Sequence, residues 1–246
     1  MQERKIKKIV RLYRVCQFMD KPLYSVKLNT FTLKGDIGPS STCKIYRRQL
    51  KALSVNLSIP ILLMDSEGGF CSGADSIIKS ISEISPRICV VNVGECDSAA
   101  MDVYLACRWR YATKNSSFMI HNCLISIRDA FKNGKKMERK ILNIVKAYDK
   151  SFYNKIYDRE VLLNKEQLIT LSKILQVNAP VFYSHIKNII DREIKSLAFS
   201  DANSNESIVK NTKVSYEMLE EKTGKGQDWF ITADEAVNLG ICHGII

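Results

Sequence analysis

The stretch "VGECDSAAM" (93–101) places a lone serine, Ser98, between the apolar run "RICVVN" and an alanine-rich segment of helical character. A hydroxyl held at such a strand-to-helix corner is exposed and aimed, which suits nucleophilic catalysis. The same position equally suits a helix N-cap. A serine hydroxyl becomes a useful nucleophile only when an imidazole takes its proton and a carboxylate orients that imidazole. Backbone N–H groups must also face the oxygen that turns negative. The chain holds three histidines, which makes the search for a base short. His185 lies in the helix-prone "YSHIKNI" and His243 near the last residue, whereas His121 follows "SSFMI" at a strand end. His121 is therefore the best base candidate for Ser98.

The surrounding pattern explains why these two would meet. "PILLMDSEGG" (60–69) is an apolar strand ending in paired glycines. It is followed by a helix through Ile77, Ile78, Ile81 and Ile84. "RICVVNVG" reads as strand, "SAAMDVYLACR" as helix, and "RYATKNSSFMIHN" as strand again. Short apolar strands alternating with helices imply a parallel sheet with crossovers, whose functional groups collect at the carboxyl ends of the strands. Gly68, Gly69, Ser98 and His121 all fall at such ends. Upstream, "YSVKLNTFTLKGDIG" (24–38) alternates as a strand and "PSSTCKIYRRQLKALSV" starts a helix at Pro39. Downstream, residues 134–159 predict one long helix. The chain stays helix-prone to about Leu197, "AFSDANSNESIVKNT" reads as an exposed polar loop, and "DWFITADEAVNLGICHGII" closes as strand, Thr-capped helix and strand.

Bulk properties narrow the classes. A chain of 246 residues, 46% hydrophobic, can form one sizeable α/β core. Net charge is +11, spread over small clusters such as "QERKIKK" and "FKNGKKMERK". No zinc-finger spacing or aromatic-interleaved basic stripe accompanies it, so specific nucleic-acid recognition is not expected. The eight cysteines form no C-x-x-C pair and mostly sit in apolar runs, which fits buried free thiols in a reducing compartment. No metal site or cofactor is expected. The opening "MQERKIKKIVRLYRV" lacks the apolar core of a secretory signal, and no run of 18 apolar residues exists, so a soluble cytoplasmic protein without a membrane span is expected. Ile6, Ile9, Val10 and Tyr13 share one face of a basic N-terminal helix (1–20). It is expected to dock on its own domain or a sister subunit rather than on a membrane.

Four segments occur in a telling order: "SEGGFCSGADSI", "VGECDSAAM", "NSSFMIHN" and "QDWFITADEAVNLGICHGI". Their order and approximate spacing resemble the proteolytic subunit of Clp protease, over roughly residues 28–158 and 213–246. The resemblance implies a ClpP/crotonase-like α/β fold of stacked ββα units with a parallel sheet, a helical handle and a helical insertion. It also implies a serine endopeptidase working through an acyl-enzyme, with Ser98 as nucleophile, His121 as general base and Asp228 as the carboxylate that orients it. Gly69 and Ala99 match the positions whose N–H groups form the family's oxyanion hole. Implied partners are a peptide or protein substrate, further copies of the chain in a homo-oligomer, and an AAA+ unfoldase or regulatory partner.

Departures from the family pattern are equally specific. Glu67 stands where the family carries proline in the glycine motif, and Asp97 precedes the nucleophile where a small or aromatic residue is usual. Asp97 is a rival carboxylate, although a residue adjacent in sequence to Ser98 usually projects elsewhere. More chain separates His121 from Asp228 than the family needs. The excess fits 160–212, expected as a helical insertion with a polar loop inside a single domain spanning 1–246. A catalytically silent structural subunit and a crotonase-like acyl-CoA enzyme are the alternatives. The Ser98, His121 and Asp228 set argues against the first, and the Ser–His pair is unexplained by the second.

Overall fold

The computed structural model describes residues 4–11, 29–54, 59–84, 87–131, 133–157 and 161–246. In chain order the first elements are helix α1 (residues 4–11), β1 (Thr30–Ile37), α2 (Lys44–Ser54), β2 (Ile61–Gly69), α3 (Cys71–Ile84) and β3 (Cys89–Asp97). Next come α4 (Ala99–Leu105), β4 (Trp109–Ala112) and β5 (Ser117–Ile120). Then follow β6 (Ile125–Ser126), α5 (Ile127–Ala130), α6 (Gly134–Tyr148), α7 (Lys150–Tyr157), β7 (Leu162–Leu163), α8 (Lys165–Asn178) and α9 (Pro180–Asn211). The chain closes with α10 (Tyr216–Thr223), β8 (Trp229–Thr232), α11 (Ala233–Asn238) and β9 (Gly244–Ile245). Two compact units result: residues 1–121, 205–222 and 228–246 in one, 122–204 and 223–227 in the other.

The first unit is built on a seven-stranded sheet of order β1-β2-β3-β4-β9, with β5 joined to β3 and β8 to β5. Every pairing is parallel except β5 with β8. The apolar runs "ILLM" and "CVV" are buried on both faces, as crossover helices require. On one face Phe31, Leu33, Leu62, Met64 and Val90 join a core with Ile77, Ile81 and Tyr104 from α3 and α4. On the other face Ile61, Leu63, Cys89 and Val91 are covered by Ile6, Ile9 and Val10 of α1. The expected docking of the basic helix on its own domain therefore holds for these residues, while Tyr13 lies outside the described ones. So do residues 24–28 of the first expected strand and Cys16. The seven described cysteines are free thiols.

Two irregularities shape the sheet edge that matters. The β1–β2 register shifts after Lys34–Asp65, and the buried Ser66 fills the gap, donating from Oγ to the Gly35 carbonyl (2.6 Å) and accepting the Gly68 N–H (3.2 Å). β3 then forks. Cys89–Asn92 pair with β4 and Glu95–Asp97 with β5, and the buried Asn92 side chain bridges the fork by donating to the Ser117 carbonyl (2.7 Å) and accepting the Gly94 N–H (3.2 Å). "RYATKNSSFMI" is consequently two strands, with Ser116 Oγ donating to the Thr113 carbonyl in the turn between them.

In the second unit Ile141, Val145, Phe152 and Ile156 of α6 and α7 share a core with Leu168, Leu171 and Leu175 of α8 and with Tyr183, Ile186 and Ile190 of α9. The single helix expected over 134–159 is two. Asp149 leaves helical geometry (φ −145, ψ 85), and its carboxylate accepts the Phe152 N–H (2.8 Å), starting α7 afresh. The polar stretch after Leu197 is the opposite case. It is helical to Asn211, because no glycine or proline interrupts it and Ile208 is buried in the first unit's core.

Candidate active site

Ser98 directly follows β3 with φ 54 and ψ −124, a positive φ that is uncommon for a residue with a side chain. Its N–H is held by the Met119 carbonyl of β5 (2.9 Å), and its carbonyl accepts the Met101 N–H (2.9 Å). Its side chain makes no capping bond to α4, so the N-cap alternative loses its physical basis. The backbone bends sharply at Ser98, and the hydroxyl has no structural task in the helix that follows.

The paired glycines explain how the bend is accommodated. A Cβ on Gly68 (φ +92) would lie 2.5 Å from the Asp97 carbonyl oxygen, 2.8 Å from Ser98 Cβ and 3.0 Å from the Ala99 nitrogen. β2 therefore approaches the corner as closely as bare backbone can. The Phe70 N–H donates to the Ile37 carbonyl on β1 (2.8 Å).

His121 directly follows β5 and is half-buried. Asp228 directly precedes β8 and is exposed. The antiparallel ladder runs from Ser117↔Thr232 to Ile120↔Trp229, so His121 and Asp228 are the next residues on each strand. Since β5 also pairs with the end of β3, residues far apart in sequence converge on one sheet edge: Gly68 and Gly69, Ser98 and Ala99, His121, and Asp228. The other two histidines lie elsewhere. His243 Nδ1 accepts the Arg110 N–H (3.1 Å), and His185 is exposed on α9.

Asp97 gives the edge an unusual charge. Its Oδ1 is buried without a hydrogen-bond partner among the described residues. Burial first, then the carboxylates of Glu95 and Glu67, push its pKa up to about 6. Sequence reasoning missed two positioning groups: Asn92 at the fork, and Arg110. The Arg110 guanidinium is buried, has no carboxylate partner among the described residues, and donates to the carbonyls of Ile241 (2.8 Å), Asn211 (2.9 Å), Cys107 (3.4 Å) and Gly240 (3.4 Å). It ties the two segments flanking β8 to β4. Nothing in local sequence distinguishes this arginine from its neighbour Arg108.

Residues 26–166, more than half of the chain, match the family model of Clp protease. The chain belongs to the Clp protease family. Its fold agrees with that assignment. A solved ClpP1 from Listeria monocytogenes, an asparagine-to-aspartate mutant, superposes with a TM-score of 0.57 at 20% identity, over 90% of this chain and 92% of that one. No curated protein matches the sequence. The expected ClpP-like α/β fold is thus correct, and the family match reaches through α6 and α7 and stops as α8 begins. Among the described residues no helix is long and apolar enough to cross a membrane.

Proposed function

We propose that this Clp family member is a serine endopeptidase that cleaves peptide bonds through an acyl-enzyme on Ser98. In the first half-reaction Ser98 Oγ bonds to the scissile carbonyl carbon as its proton passes to His121. The tetrahedral oxyanion is held by the N–H groups of Gly69 and Ala99, and it collapses as His121 returns that proton to the departing amine. In the second half-reaction water, deprotonated by His121, displaces Ser98. Asp228 fixes the imidazole tautomer throughout. The observation that carries this reading is the Ser98 corner itself. A non-glycine residue is held at positive φ against a bare glycine strand, its hydroxyl is free of capping duty, and a histidine follows the strand that binds its N–H.

The reading includes self-association. Val177, Val181 and Phe199 on α8 and α9, with Tyr148 and Tyr157, leave large apolar side chains more than half exposed, and such surface marks interfaces. The deciding experiment is labelling with a fluorophosphonate probe, read by peptide mass mapping on protein whose mass in solution is measured alongside. A label on Ser98 supports the peptidase. No label at any assembly state identifies a silent subunit.

A further inference from the structure

Helix α1 divides its residues with little ambiguity. Ile6, Ile9 and Val10 are at most 7% exposed, against the sheet face made by Ile61, Leu63, Cys89 and Val91. Arg4, Lys5, Lys7, Lys8 and Arg11 are all exposed, and residues 4–11 contain no acid. Among the described residues no carboxylate pairs with Arg4, Lys5, Lys8 or Arg11. Trp109 and Tyr111 of β4 are half-buried and pack against the same apolar cluster, and the exposed Arg108 guanidinium stands 5.3 Å from the Trp109 ring centroid. The N-terminal cluster of the sequence's cations is thereby held on α1, with two aromatic rings beside the helix.

We propose that this face is a sequence-independent docking surface for single-stranded nucleic acid. The cations engage phosphates, and the rings of Trp109 and Tyr111 offer stacking surface at its border. Three observations select this partner. Exposed cations in a row, of which Arg4, Lys5, Lys8 and Arg11 have no carboxylate partner among the described residues, favour a polyanion over a neutral or mixed-charge surface. A lipid surface gains most from an inserted apolar helix face, and that of α1 is already spent on the sheet, which leaves such a surface the electrostatic attraction alone. Adjacent aromatic rings add binding for bases that an acidic polypeptide cannot use. The surface is formed by α1 and β4, so it stands whether or not Ser98 is catalytic.

The test measures binding of the full chain to a fluorescent oligo-dT of about 20 nucleotides by anisotropy, over a sodium chloride series. Each neutralised phosphate contributes about 0.7 to the log–log salt slope for single strands. The exposed triple variant Lys5→Ala, Lys8→Ala and Arg11→Ala should lower the slope by about 2 and weaken binding at 50 mM salt by at least about tenfold. Circular dichroism confirms that the variant is folded. The proposal is overturned if the oligonucleotide does not bind at 50 mM salt, or if the folded triple variant binds as the parent does. It is also overturned if phosphatidylserine vesicles or poly-glutamate bind more tightly than the oligonucleotide at equal salt.

Discussion

Gly68→Ala is the sharpest single probe of how the corner is built. The added methyl would meet the Asp97 carbonyl oxygen at 2.5 Å and Ser98 Cβ at 2.8 Å, and neither neighbour is the far end of a flexible side chain. Positive φ costs a residue with Cβ about 1–2 kcal/mol. Forcing a methyl into packed backbone costs about 1–3 kcal/mol more. The expected loss is therefore about 2–5 kcal/mol, read from urea unfolding. Relief can come only by pushing Ser98 and Ala99 away from β2, and a misplacement of about 1 Å can cost about a hundredfold in rate. Fluorophosphonate labelling should slow on that scale, and peptide hydrolysis with it. Gly35→Ala is the matched control, since Gly35 has positive φ (+69) but nothing within 4 Å of its added Cβ. It should lose only the backbone share, about 1–2 kcal/mol, and label normally. If Gly68→Ala matches Gly35→Ala in both stability and labelling rate, the close approach of β2 to the Ser98 corner is not what shapes the site.

Ser98→Ala should abolish probe labelling and reduce hydrolysis by ~10⁴-fold or more while leaving the unfolding midpoint within the range of the parent, as mass mapping and urea titration would record. Asp228→Asn should cut turnover far more than it alters stability, and a larger loss from Asp97→Asn in the same steady-state assay would reassign the orienting carboxylate. Asp97→Asn also has a pH signature. The folded pKa is raised to about 6 from 3.8, so the fold favours the neutral acid, and stability from this group falls as pH rises through that window. The variant should match the parent near pH 4 and exceed it above pH 6 by on the order of 1 kcal/mol, discounted for partial exposure. Arg110→Met would strip the donor from four backbone carbonyls and should cost about 3 kcal/mol or more in urea unfolding. Phe199→Glu with Val181→Lys should lower the mass in solution. These surface variants are preferable to deleting 160–212, because Ile208 belongs to the first unit's core.

The alternation of short apolar strands and helices was legible because residues buried on both faces leave continuous runs such as "PILLM" and "RICVV". The corner of β3 was legible too, since glycine pairs and a lone serine at strand ends are local signals. The fork was not, because Asn92 reads as any polar residue until β4 and β5 are seen to share one strand. Nor did local sequence show that His121 and Asp228 flank paired strands, since only the antiparallel register of β5 and β8 places them at the ends of one ladder. The break at Asp149 and the continued helix after Leu197 show the limit of periodicity. A single aspartate can restart a helix, and a polar run without glycine or proline can extend one when Ile208 anchors it.

Ser98 occupies a backbone geometry that glycine would fill without strain. Replacing it by glycine should therefore stabilise the chain, by about 1 kcal/mol on the usual scale for left-handed residues. A lineage that abandoned the chemistry would find that replacement immediately favourable, with no helix cap lost in exchange. The hydroxyl thus stands at a point where folding alone would select against it. In a stability-ranked library of all substitutions at this position, the wild-type residue should fall below glycine, and that inversion would separate a working residue from a structural one without any substrate in hand.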